Sequence, residues 1–283
     1  MARAPVTKTW YRIAVAPPSG APVLLATQGE HLGVAIAAAE KHAGGGRALA
    51  ADLAAADLVP LGESVGKQHV VELGAATEHA GFSWPPGVLP QLGAAASLAA
   101  ARAGFVEHAD PKLFILEAMT EADAVIDTFL GLIERLPAAD NLEVRVLDHF
   151  EDAGTTDVWL TSRVNAKKIL SFLDDFDTEL IENGHVQLSI YIRAAKATLR
   201  LTEHKTIVWL ADDRGLEGDV TRWLTELKVP RAGKLARITS VPHFHYRGPK
   251  TRDRKKLGEE LYRQRLRRVD TLRPAAGEPD TAR

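Results

Sequence analysis

The residues best placed by type and spacing to do chemistry are His243-Phe244-His245. In an extended segment side chains repeat every two residues, so both imidazoles would stand on one face. Two imidazoles are two ligands for a divalent metal, and a working site needs a third. His204, His149 and Asp148 are the candidates for it, and nothing in the spacing selects among them. A second pattern is Gly62-Glu63-Ser64-Val65-Gly66, which has the G-x-S-x-G spacing of a nucleophile elbow. That device needs a strand before it and a helix after it, to raise the serine hydroxyl beside a histidine base. Here Pro60 precedes it and a strand-like run follows from Lys67, so the required context is missing on both sides. A hydrolase would therefore rest on Ser64 or on a His243/His245 metal site. The chain has no cysteine, which excludes a thiol nucleophile, thiolate metal ligation and disulfides.

His204-Lys205-Thr206, with Ile207 and Val208 behind it, resembles one half of the His-x-Thr pair of the two-histidine phosphoesterases. That family flanks its phosphate with two such copies. His185-Val186-Gln187 and His243-Phe244-His245 both lack the hydroxyl of a second one. Gly44-Gly45-Gly46 has a helical segment before it, whereas phosphate-cradling glycines follow a strand, so it reads as a connector.

Charge is distributed unevenly. Residues 247–283 hold 12 Lys/Arg against 6 Asp/Glu, leaving 23 against 31 for the rest, so a −8 body carries a +6 C-terminal arm. Arg252, Arg254, Lys255, Lys256, Arg263, Arg265, Arg267 and Arg268 would neutralise nucleic-acid phosphates if the arm were free. If its leucine seam docks, they would pair with the acidic body instead. Asp174, Asp175, Asp177, Glu179 and Glu182 lie along one segment, with Glu151 and Asp152 in a hairpin near it in sequence. Such a face suits a basic protein partner, because complementary charge speeds encounter.

These residues have to be positioned by the elements around them. Residues 11–15 and 23–26 alternate as strands around a Pro-Pro-Ser-Gly turn, and helices are expected at 30–42, 47–56 and 89–103. A strand is expected at 69–73. From Lys112 the order is strand (113–116), helix, strand (142–146), strand (157–161), helix capped by Asn165, strand (186–192). Thr120 with Asp123 gives capping-box spacing for the first helix. This β-α-β-β-α-β order is that of a ferredoxin-like core. Lys112-Leu113-Phe114-Ile115 and its helix also resemble the start of an RNA-recognition motif, a family that stacks bases on strand aromatics. The corresponding third strand, Asp157-Val158-Trp159-Leu160-Thr161, lacks those aromatics and begins with an acid. Strands at 198–202 and 206–210, a helix at 215–229 and a strand at 238–246 follow. A basic helix is expected over 253–272, and disorder over 274–283.

The expected architecture is thus α+β: an alanine-rich α/β region (1–108), a ferredoxin-like domain with extra antiparallel strands (109–246) and a basic helical arm with its tail (247–283). No apolar run approaches the roughly 20 residues of a membrane span, and residues 1–11 show no signal-peptide pattern. A soluble cytoplasmic protein without a cofactor is expected. No catalytic constellation is complete, so the leading expectation is non-enzymatic binding of a basic protein partner, in the manner of an immunity or inhibitor protein. Nucleic-acid association through the arm is the second, and the hydrolase the third.

Overall fold

The structure is a computed structural model that describes residues 8–54, 70–78, 81–147 and 154–273. The chain runs β1 (Thr9–Ala16), β2 (Val23–Gly29), α1 (Leu32–His42), β3 (Arg47–Leu53), β4 (Val70–Ala75), β5 (Val88–Pro90), β6 (Gly104–His108) and β7 (Phe114–Met119). Then follow α2 (Val125–Arg135), β8 (Asn141–Leu147), β9 (Thr156–Leu160), α3 (Ala166–Asp175), α4 (Asp177–Leu180) and β10 (Val186–Ile192). It ends with β11 (Ala197–Leu201), β12 (Ile207–Ala211), α5 (Glu217–Glu226), β13 (His243–His245), α6 (Arg254–Arg263) and β14 (Arg267–Leu272). The fold is mixed α+β, and no described helix is long and apolar enough to cross a membrane.

The first layer is an antiparallel sheet ordered β3-β1-β2-β4, with α1 packed on it. The expected helix over 47–56 is the strand β3. Alanine favours helices, but this stretch pairs along β1, with Ile13 opposite Ala51. Ala50 and Ala51 are fully buried, and Ala35 and Ala39 of α1 belong with Ala51 to one core cluster. Small side chains let helix and sheet approach closely. Tertiary fit has overridden propensity. The expected helix over 89–103 is replaced by β5 and one 3-10 turn, Ala95–Leu98.

The second sheet has eight strands in the order β14-β9-β8-β10-β11-β12-β7-β6, every neighbouring pair antiparallel. The chain order β7-α2-β8-β9-α3-β10 is the one expected, but the strand order is not ferredoxin-like, which would set β7 beside β9. Two tight hairpins make the difference: β10 turns into β11 and β11 into β12, and these strands fill the space up to β7. Short hairpin connections cost little closure entropy, so the meander forms in place of the longer-range pairing. β6, from the first 108 residues, is the outer strand of this sheet, and the segment beyond α5 runs along it: Phe105 exchanges backbone hydrogen bonds with Pro230 and Ala232 at 2.9 and 2.8 Å.

α2, α3 and α5 bury one apolar stripe each in the main core, through Phe129 and Ile133, Ile169 and Leu173, and Val220 and Leu224. Asn165 caps α3 as expected, its Oδ1 accepting from the Lys168 N–H at 3.0 Å. Thr120 does not cap α2. That helix starts after Ala124, without a side-chain cap, and Thr120 is buried.

The basic arm is docked. Asp253 caps α6, accepting from the Lys256 N–H at 2.9 Å, and Leu257, Leu261 and Leu266 join the main core. The expected helix over 253–272 stops at Arg263, and Arg265 adopts a positive φ of 66°. The chain then returns as β14 against β9, with a register shift between Arg268 and Asp270 and every residue exposed. Leu261→Ala should therefore lower stability by about 2–5 kcal/mol in urea denaturation, the usual cost of emptying a buried leucine site. An arm that floated free would leave the midpoint unmoved.

Candidate metal centre

His204 sits in the connection between β11 and β12. Thr202 and Thr206 close it, the Thr202 N–H reaching the Thr206 carbonyl at 2.9 Å, and Lys205 takes the left-handed conformation at φ 62°. Glycine is the usual choice there. Lys205 is held by burial: its Nζ donates to the Asn183 carbonyl at 2.6 Å, and only 1% of the residue is exposed. Burial drives its pKa down to about 7, against the opposing charges of Glu203 and Glu182.

His243 and His245 come from β13, which pairs with β5 in a two-stranded ribbon. Strand alternation sends Phe244 to the core of the four-stranded sheet and both imidazoles to the other face. There they meet His204, with ring centroids 5.0 Å (His204–His243), 4.7 Å (His204–His245) and 5.2 Å (His243–His245) apart. One nitrogen from each ring lies within 4.8 Å of the other two. A tetrahedral ion with bonds of about 2.0–2.1 Å would bring such nitrogens to roughly 3.3 Å, so the rings would draw together on binding.

The second nitrogens fix the proton positions. His243 Nδ1 lies 2.8 Å from the Val241 carbonyl oxygen, and His245 Nδ1 lies 2.8 Å from that of Gly184. A carbonyl only accepts, so both Nδ1 atoms carry the hydrogen. His204 Nδ1 is 3.2 Å from Glu203 Oε1. Burial would raise the Glu203 carboxyl, but the hydrogen bond and charge of His204 outweigh it and hold it at about 2, so an ionised acceptor faces this ring as well. A metal takes a ring in its neutral form, and with the hydrogen on Nδ1 the lone pair is then on Nε2. An oxygen behind Nδ1 is the arrangement that orients metal-bound histidines and raises their basicity.

Close backbone contacts hold the ribbon against the sheet. Gly184 N–H donates to the Tyr246 carbonyl at 2.9 Å, and Tyr246 N–H to that of Gly87 at 2.8 Å. Asn183 and Gly184 thus serve both sides of the cluster, Asn183 receiving Lys205 and Gly184 receiving His245. Space beside His204 is small: a void of about 10 Å³ is lined by His204, Lys205 and Thr206, with Phe82 and Trp84, whereas His245 also borders a larger cavity. The void beside His204 suffices for about one water and for no substrate.

The remaining candidates do not gather at one place, and Ser64, Asp148, His149, Glu151 and Asp152 lie outside the described residues. His185 approaches His245 at 6.4 Å between centroids but is not in the three-ring group. Of the acidic set, Asp174 and Asp175 are exposed at the end of α3, and Asp177 accepts from the Thr178 N–H. Glu179 receives Arg252 at 2.6 Å. Glu182 is half-buried near Lys205, and burial raises its carboxyl above the usual range. Among the basic residues, Arg254 reaches Asp157 at 2.9 Å, Arg268 lies 3.7 Å from the same carboxylate, and Arg263 meets Glu260 at 2.8 Å. Lys255, Lys256, Arg265 and Arg267 are exposed. Body and arm thus neutralise each other in part. Sequence reasoning missed Glu203 and the Asn183-Gly184 carbonyls. The adjacency of Glu203 to His204 was the one visible signal. In comparisons with known proteins, no family model, no curated protein and no solved structure matches this chain.

Proposed function

We propose that this is a metal-binding protein whose centre takes a zinc-class divalent ion on Nε2 of His204, His243 and His245. The observation that carries the reading is the set of three oxygens, from Glu203, Gly184 and Val241, placed behind three clustered imidazoles. Imidazole ligands suit zinc, copper, nickel and iron, and the roughly tetrahedral reach of three rings favours zinc. A water would complete the coordination, and the void beside His204 has room for about one. The ion would act chiefly as a staple, joining the β5–β13 ribbon to the β11–β12 turn. This keeps the His243/His245 metal site of the hydrolase reading, completes it with His204 and leaves one position to water.

The test is zinc titration of the metal-stripped full chain with a competing chromophoric chelator, alongside elemental analysis of protein purified without chelator. One ion per chain is expected. His204→Ala, His243→Ala and His245→Ala should each weaken affinity by roughly a hundredfold or more, since a structural zinc gains several kcal/mol per ligand. Stoichiometric binding that survives all three replacements, or no binding by the wild type, would overturn the reading.

A further inference from the structure

On the far side of β13 a cavity of about 380 Å³ opens between the two sheets, within the size range of small-molecule sites. We infer that it binds an organic anion with an apolar body, an acyl or aryl carboxylate, whose charged end meets Arg247 and His31. This site is separate from the metal cluster: His245 reaches its wall, but His204 and His243 do not.

The walls are largely apolar, with Leu32, Leu53, Val146, Phe244 and Leu257 contributing. Against them stands a cation whose charge is not matched at contact distance. Arg247 is half-buried, donates from one Nη to the Thr251 carbonyl at 2.5 Å, and has no carboxylate in ion-pair contact among the described residues. The two other arginines of the cavity differ in this respect, since Arg252 is held by Glu179 and Arg254 by Asp157. Two acids also line the space. Glu30 is exposed, and Asp253 feels the Arg247 charge but has its oxygens taken by the backbone N–H and the ammonium of Lys256.

The second observation is independent of Arg247. His31 stands at the N-cap of α1 with extended backbone and makes no cap hydrogen bond. Its Nδ1 is buried and has no hydrogen-bond partner among the described residues. A buried polar atom without a partner is costly, and a turn of the His31 ring toward the cavity it lines would let a bound carboxylate satisfy it. Burial, with Arg247 adding to it, keeps this ring neutral, its pKa lowered to about 4, so Nδ1 can carry a hydrogen toward the ligand without adding charge. His31 and Leu32, at the N-terminus of α1, both line the cavity, and a helix N-terminus favours negative charge. Guanidinium, imidazole and helix terminus together define the charged end, and the leucine and phenylalanine wall defines the rest.

The probes are 8-anilinonaphthalene-1-sulfonate, an aryl anion that fluoresces in apolar surroundings, and decanoate with decanol as competitors, all on the full chain. Saturable one-site binding is expected, with decanoate displacing the dye at least tenfold better than decanol. Arg247→Gln should remove that preference, while Lys255→Gln, an exposed change outside the cavity, should keep it. Absence of saturable dye binding, equal displacement by acid and alcohol, or an unchanged preference in folded Arg247→Gln would each overturn the inference. The acid–alcohol comparison needs only wild-type protein, so it decides the matter even if Arg247→Gln fails to fold.

Discussion

Gly184→Ala should destabilise the protein by about 3–5 kcal/mol, among the largest losses any single methyl could cause here. A Cβ at this position would stand 1.8 Å from the Gly87 carbonyl oxygen, 2.7 Å from its carbon and 2.9 Å from the Tyr246 carbonyl oxygen. All three are main-chain atoms, so no rotamer change relieves the clash and the segments must part. Overpacking alone costs about 1–3 kcal/mol. Parting the segments also loosens the hydrogen bonds from Gly184 to Tyr246, from Tyr246 to Gly87 and from His245 to Gly184, each worth about 1 kcal/mol. Urea denaturation should show a lower midpoint with an unchanged slope. Gly218→Ala is the control. Nothing lies within 4 Å of its Cβ position in α5, and exchanging glycine for alanine inside a helix should stabilise by about 0.5–1 kcal/mol. Equal losses for the two would show that the close approach is not as described.

The second large effect is thermal. An ion that binds the folded chain and bridges the β11–β12 turn to β13 should stabilise by about 4 kcal/mol at a thousandfold excess over its dissociation constant. For a chain of this size that raises the melting temperature by roughly 5–10 °C. Scanning calorimetry with and without zinc should show the rise in wild type and its loss in His243→Ala. Glu203→Gln keeps an oxygen near His204 but removes the carboxylate charge, so zinc affinity should fall about 10–100-fold, and the apo melting temperature should fall too, because that charge also offsets the buried Lys205. A full zinc shift in His243→Ala would place the ion elsewhere.

The parts of this molecule that could be read in advance are those governed by local pattern. Val186, Leu188, Ile190 and Ile192 alternate with polar residues, and β10 lies where they do. Asn165 announces α3 because capping needs only a neighbour three residues on. The misread segments are those where distant partners decide. Arg47–Leu53 carries helix-favouring alanines yet pairs with β1, and residues 267–272 continue a leucine seam yet pair with β9. The ferredoxin-like order failed for the same reason, since chain order does not say that β11 and β12 will stand between β10 and β7. At the histidine cluster the two-residue spacing put His243 and His245 on one face. Choosing His204 as their companion required knowing that the β11–β12 turn reaches β13, which only the assembled sheet determines. The cavity beside Arg247 draws on β1, α1, β8 and α6, elements far apart in sequence, and no local pattern could announce it.

The exposed, bulged β14 has a consequence for how copies of this chain coexist. Its outward backbone is the kind of margin onto which another molecule's strand could be added, and such growth ends in insoluble assemblies. Arg267, Arg268 and Asp270 confront an incoming strand with charge, and the irregularity after Arg268 breaks the straight row of donors and acceptors it would need. At the opposite margin the 230–232 stretch already lies on β6. Cutting the chain before Arg267 would strip the first safeguard and present β9, with its buried Val158 and Trp159, to its neighbours.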